Sequence, residues 1–147
     1  MKSDRMLKRL LDRSVKERGS GAVKKCLRQL LAEENRNRLT LTIIANESLH
    51  KVPDKHRHGE VFVASRGNLD FTSQKAVLSS LRVVLTKLKN VLVRKSWKKV
   101  YLVPTGHPVL ALQIKNLVYH VLRFDTVDLV YSGGQYYEIE IKRADFL

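Results

Sequence analysis

Two carboxylates and a lysine near the end of the sequence have the types and spacing that metal-assisted hydrolysis requires. Asp128 opens one predicted strand, and Glu140 and Lys142 close the next, with Ile141 between them. Alternation along a strand places Glu138, Glu140 and Lys142 on the same face of the sheet. Carboxylates so placed could hold a divalent cation, and a neighbouring lysine could help to activate water.

This arrangement resembles the Asp…Glu-x-Lys hairpin of the PD-(D/E)xK nucleases, over residues 128–142 only. The resemblance implies a metal-dependent nuclease in which Asp128 and Glu140 hold Mg²⁺ and Lys142 assists the attacking water. The alternative is an ordinary solvent-facing strand surface, on which alternating charges are common. Without nuclease activity, we expect no cofactor.

A second candidate site lies in the connection Val103-Pro104-Thr105-Gly106-His107-Pro108, between a predicted strand and a predicted helix. Ligands of open α/β sheets bind at the carboxyl ends of strands, and helix N-terminal amides attract phosphate. Gly106 permits close approach of a backbone, and Thr105 and His107 can donate hydrogen bonds. The segment lacks the glycine and lysine spacing of a P-loop. It predicts either a nucleotide or phosphate site, or a purely structural turn.

The layout of residues 74–141 is similar to the Rossmann-like CARF and SAVED domains, which sense cyclic oligonucleotides. A helix is followed by Val-Tyr-Leu-Val-Pro-Thr-Gly-His-Pro, a second helix, and strands containing Leu-Val-Tyr and Tyr-Tyr-Glu-Ile. The resemblance implies a ligand near Thr105, Gly106 and His107.

Positive charge is the dominant feature of the composition. The formal net charge is +14 on 147 residues, with +7 in residues 1–39, +8 in residues 40–107 and −1 in residues 108–147. An excess of this size predicts a polyanionic partner. The leading interpretation is a non-catalytic protein that binds RNA or DNA through the phosphate backbone. Whether it acts alone, as a homodimer or in a larger nucleoprotein complex is left open.

The predicted contacts lie on the second helix, on the long helix and in the cluster that follows it. Trp97 stands among four cations of that cluster, either exposed to stack on a base or buried as an anchor, and the buried interpretation is slightly favoured. The full predicted set is Lys24, Lys25, Arg28, Lys75, Arg82, Lys89, Arg94, Lys95, Trp97, Lys98 and Lys99.

Periodicity predicts an α/β fold, with α+β as the alternative. A basic helical hairpin, 1–36, precedes an α/β domain, 37–147, with about five strands in a mixed sheet, two packed helices and a final β-hairpin. The predicted helices span 3–18, 22–34, 73–95 and 108–122, and the strands span 38–46, 60–65, 98–103, 126–131 and 135–142.

Several classes are disfavoured. Cys26 is the only cysteine, so no intrachain disulfide can form. No apolar run is long enough for a membrane span, no secretory signal is present, and we expect an intracellular, cytoplasmic protein without a membrane partner. His50, His56 and His58 are interpreted as solvated residues of a polar loop, 47–59, and not as metal ligands.

Overall fold

The computed structural model describes residues 2–37, 39–47, 51–142 and 145–146. The chain divides into two compact units, Met1–Asn37 and Arg38–Leu147. Within the described ranges, no helix has an apolar stretch long enough to cross a bilayer.

The first unit consists of two helices, α1 (Lys2–Arg18) and α2 (Ser20–Asn37), separated by Gly19 alone. Gly19 adopts φ +79°, a left-handed conformation that glycine reaches at little cost, and its N–H donates to the Val15 carbonyl at 2.9 Å. The second helix therefore begins two residues before its predicted start. The apolar side chains of both helices stay largely exposed, namely Met6, Leu7, Leu10, Leu11, Val15, Leu27, Leu30 and Leu31.

The second unit is a five-stranded sheet in the order β2-β1-β3-β4-β5, in which only β5 runs antiparallel to its neighbour. The predicted α/β class, the mixed sheet and the terminal hairpin are confirmed. The elements are β1 (Leu39–Ile44), β2 (Glu60–Val63), α3 (Gln74–Arg94), β3 (Trp97–Val103), α4 (Pro108–Leu122), β4 (Val127–Ser132) and β5 (Gln135–Glu140).

Local chemistry sets several of these boundaries. Ser73 is the N-cap of α3, and its hydroxyl accepts a hydrogen bond from the Ala76 amide at 3.2 Å. The β4–β5 hairpin closes through Gly133 and Gly134, whose φ angles are +57° and +83°. Two successive positive φ angles are the signature of a type I′ turn, whose twist matches the flanking strands.

Both α3 and α4 pack on one face of the sheet. Their buried residues meet inward-facing residues of β1 and β3, including Leu41, Ile43, Val100 and Leu102. Leu81, Leu88 and Leu92 of α3 are buried, whereas Leu78 is 57% exposed. In the first turns of α3 it is Val77, directly before Leu78, that packs against the core.

On the opposite face of the sheet, no α-helix among residues 39–47 and 51–142 packs against the strands. Its apolar residues are Ile44, Tyr101, Val103, Val127 and Leu129, and Val52 covers them from the β1–β2 connection. This connection contains a short 3₁₀ helix, Asp54–His56.

Gly59, where the β1–β2 connection returns to the sheet, is a position that other residues cannot fill without strain. Its φ is +67°, and an added Cβ would lie 2.2 Å from the Thr40 carbonyl oxygen. We expect Gly59→Ala to lower the free energy of unfolding by about 2–4 kcal/mol, from left-handed strain and displaced backbone together. Gly67→Ala is the matched control, because Gly67 has φ +66° and no atom within 4 Å of its added Cβ. Equal losses in urea unfolding of the two variants would contradict the close approach at Thr40.

Candidate functional site

The strand order creates a crevice between the carboxyl ends of β1 and β3. The chain leaves β1 toward β2 on one side, whereas β3 continues through α4 to β4 on the other. A crevice at such a reversal is the usual ligand position in open α/β sheets. Asn46 follows β1 here, and Thr105, Gly106 and His107 follow β3.

Asn46 and Thr105 join the two strand ends by two hydrogen bonds. The backbone N–H of Asn46 donates to Thr105 Oγ1 at 3.2 Å, and the Thr105 hydroxyl donates to the backbone carbonyl oxygen of Asn46 at 2.5 Å. Because the only proton of the Thr105 hydroxyl is used in this pair, Thr105 is not the free donor that the sequence predicts. Its role is to hold the β1 and β3 ends together.

The side-chain oxygen of Asn46 is a buried acceptor without a hydrogen-bond partner among the described residues. Asn46 is 7% exposed, its Nδ2 donates to the Gly67 carbonyl at 2.8 Å, and its Oδ1 accepts no hydrogen bond from any described residue. The Gly67 carbonyl fixes the orientation of the amide, because an oxygen turned toward it would find no donor. A buried acceptor left in this way costs about 1–3 kcal/mol, and a ligand donor would remove that cost.

Gly106 makes room for Asn46. Its φ is +84°, and an added Cβ would lie 2.6 Å from Asn46 Cβ. Both the backbone conformation and the contact therefore require glycine. The close approach predicted at Gly106 is made by Asn46 of the same chain.

His107 caps α4 and forms part of an aromatic pair. Its Nδ1 accepts a hydrogen bond from the Val109 amide at 3.3 Å, and Pro108 at the first helical position has no N–H. The first turn of α4 therefore offers fewer amides to a phosphate than expected. The ring of His107 stacks on Phe71, with centroids 4.1 Å apart and planes 10° from parallel.

These groups line a pocket of about 480 Å³ at the carboxyl edge of the sheet. Sequence reasoning found Gly106 and His107 but missed Asn46 and Phe71. The available signal for Asn46 was its position directly after the apolar run 43–45 at the end of a predicted strand. Phe71 had no such signal, because it comes from a loop after β2. The lining residues are Asn46, Gly67, Asn68, Leu69, Phe71, Gly106, His107 and Pro108.

Glu47 forms ion pairs with two arginines next to this pocket. Its carboxylate accepts a hydrogen bond from Arg66 Nε at 2.9 Å and lies 3.6 Å from Arg57. The hydrogen bond from Arg66, followed by the charges of Arg66 and Arg57, holds the pKa of Glu47 below its usual value. Arg66 immediately precedes Gly67, whose carbonyl oxygen accepts the hydrogen bond from Asn46. The Glu47–Arg66 pair therefore holds this segment in place.

The three residues of the predicted nuclease site are not brought together. Val127 pairs with Glu140, and Asp128 pairs with Ile139. Directly opposed residues share a face and successive residues alternate, so Asp128 and Glu140 point to opposite faces of the sheet. Asp128 lies 2.5 Å from Lys115 of α4, whereas Glu140 lies 3.8 Å from Lys142 on the other side. These residues do not fit a shared Mg²⁺, and within the described ranges no cluster suits a metal ion.

Glu138 of β5 instead pairs with residues on the face of the sheet opposite α3 and α4. Glu138 lies 3.3 Å from His58 and 3.8 Å from Lys99. The rings of His56 and His58 pack beside Tyr136 and Tyr101, with centroids 4.7 and 4.2 Å apart. The expectation of fully solvated histidines is wrong for these two, since both are half-buried. His50 lies outside the described residues.

Trp97 is a buried anchor. It is 3% exposed, and its indole N–H donates to the Leu92 carbonyl at 3.2 Å. The alternative of an exposed Trp97 that stacks on a base is therefore wrong. The indole fills the corner where α3 ends and β3 begins.

Two of the predicted phosphate-binding cations already have partners. Lys95 lies 2.5 Å from Glu60. Lys99 lies near Glu138 and over the Tyr101 ring at 4.7 Å, and a hydrogen bond with Tyr101 raises the pKa of Lys99. The other predicted cations are exposed and form no ion pair with a described residue, namely Lys24, Lys25, Arg28, Lys75, Arg82, Lys89, Arg94 and Lys98.

Comparisons of this chain with protein-family models, curated proteins and solved structures give no significant match.

The ion pairs of Glu47 with Arg66 and Arg57 predict a specific pH dependence of stability. Because the pKa of folded Glu47 lies below 4.5, its contribution is present above that pH and disappears as the pH falls through the lowered value. We expect Glu47→Gln to have a lower Tm than the parent at pH 7 and the difference to shrink below pH 4.5. Asp54→Asn is the control, since the Asp54 side chain is fully exposed and 3.7 Å from Arg57. A Glu47→Gln difference that is constant with pH would contradict this account.

Proposed function

We propose that residues 38–147 form a nucleotide-binding domain whose site is the pocket between the carboxyl ends of β1 and β3. The observation that carries the proposal is the Asn46 side-chain oxygen, a buried acceptor without a described partner, located at the reversal of strand order. A pocket of about 480 Å³ has the size of small-ligand sites in general.

The lining chemistry supports a nucleotide over other small molecules. Asn46 Oδ1 would accept from a base amine or a ribose hydroxyl. The flat surface of the Phe71–His107 pair suits stacking of a base. The positive end of the α4 macrodipole favours a phosphate at the same edge, and the exposed guanidinium of Arg66 adjoins the pocket-lining Gly67.

Thermal unfolding with nucleotides tests this proposal. The probes are the four ribonucleoside monophosphates and short linear and cyclic oligoribonucleotides. A ligand at about 100 times its Kd adds about 2.7 kcal/mol to stability, so at least one probe should raise Tm by several degrees. Asn46→Ala should weaken binding about 10-fold or more, since the buried acceptor contributes about 1–3 kcal/mol.

Gly106→Ala tests the same pocket sterically. The added Cβ would push against Asn46, so the Tm increase with nucleotide should disappear. Gly134→Ala is the matched control, because Gly134 has φ +83° and open space, and lies in the distant hairpin turn. If no probe raises Tm, or if folded Gly106→Ala responds like the parent, the proposed nucleotide site is rejected.

We also propose, as a second candidate function, binding of RNA or DNA through exposed cations. The observation that favours it is that Lys24, Lys25, Arg28, Arg94 and Lys98 form no ion pair with a described residue, so their charge is free for phosphates. Such contacts hold the phosphate backbone without reading sequence.

Salt dependence of oligonucleotide affinity tests the second function. Affinity should fall steeply with salt and should not require Mg²⁺, and each lost phosphate contact should reduce the log–log slope by about 0.7–0.9. Arg94→Ala with Lys98→Ala should flatten the slope, as should joint replacement of Lys24, Lys25 and Arg28. Lys95→Ala should change it less, because Glu60 already neutralises Lys95. An affinity that is flat from low to moderate salt would rule out this function.

A further inference from the structure

The outer side of α3 carries a stripe in which leucines alternate with cations. Leu78, Arg82, Leu85 and Lys89 follow one another at intervals of four, three and four residues, so they lie along one side of the helix. Together with Gln113 and Leu117 of α4 they line a groove of about 510 Å³. The exposed Leu78 stands at one end of this groove, on the side of α3 away from the sheet.

The two cations of the groove are not neutralised within the described part of the chain. Arg82 and Lys89 are exposed, neither forms an ion pair with a described residue, and no carboxylate lines the groove. An apolar groove with two free positive charges fits an occupant that supplies both apolar surface and negative charge.

Four possible occupants meet these requirements unequally. A nucleic acid would neutralise Arg82 and Lys89 but would cover Leu78 and Leu85 with a charged backbone. A second copy of the same face would bring like charges together. The helix α1 of a second copy offers an apolar side, but it carries seven Lys or Arg against three Asp or Glu. An acidic amphipathic helix would bury the leucines under its apolar side and neutralise Arg82 and Lys89 with its carboxylates.

We propose that the α3–α4 groove binds an amphipathic helix of a partner protein, with its apolar side on Leu78 and Leu85 and with Asp or Glu facing Arg82 and Lys89. This is the helix-in-groove mode of recognition, in which apolar anchors recur at helical spacing. It is independent of the nucleotide pocket. It also reassigns Arg82 and Lys89 from predicted phosphate contacts to protein recognition, because both line the groove. Lys75 does not line the groove and keeps its original prediction.

Selection from a displayed peptide library tests the proposal. The probe is a library of helical peptides with leucine fixed at i, i+4 and i+7 and with Glu or Lys at each flanking position. The parent protein should enrich Glu at these positions. Arg82→Glu with Lys89→Glu should enrich Lys instead, and Leu78→Gln should weaken the selected Glu peptide about 10-fold. Leu78 is exposed, so this variant keeps its core.

The matched control is Lys55→Glu with Lys87→Glu, which changes the net charge equally but leaves the groove residues and the proposed oligonucleotide contacts in place. This control should still enrich Glu and bind the selected peptide as the parent does. Equal enrichment of Glu and Lys by the parent, or the same reversal in the control, would overturn the proposal. It would also be overturned if the Arg82/Lys89 reversal abolished oligonucleotide binding and left peptide binding intact, since the groove would then belong to nucleic acid.

Discussion

The pairing of β1 with β3 is the interaction on which the second unit depends. β1 is the second strand from the β2 edge of the sheet, and residues 41–45, which span its end, are almost completely buried. A strand buried on both faces needs a cover on each. The helices α3 and α4 supply one cover, and Val52 with the β1–β2 connection supplies part of the other.

The same pairing brings the candidate nucleotide pocket into existence. With Ile44 opposite Val103, the residues that follow each strand must meet, and Asn46 reaches Thr105 and Gly106. The geometry satisfies the backbone of Asn46 but leaves its side-chain oxygen without a hydrogen bond from any residue that the structure describes. Native proteins seldom keep a buried acceptor in this state, so its location at a ligand crevice is the strongest pointer to function in the molecule.

Charge is arranged less uniformly than the net value suggests. Lys95, Lys99 and Lys115 are engaged by Glu60, Glu138 and Asp128. Other exposed cations form no ion pair with a described residue, and they differ in their surroundings. Arg82 and Lys89 border leucines in a groove, whereas Arg94 and Lys98 lie outside it. The basic surface therefore contains several chemical environments.

The fold class, the order of elements and most boundaries to within two residues could be predicted from the sequence, because strand alternation, the Ser73 cap and the Gly133–Gly134 turn are local signals. The turn at Gly106 was also predictable. The placement of Asp128 and Glu140 on opposite faces, the burial of Trp97 and the meeting of Asn46 with Phe71 in one pocket follow from the three-dimensional fold alone. Periodicity gives the repeat within an element, whereas register and strand order arise from contacts between distant segments. Those contacts determine which side chains become neighbours.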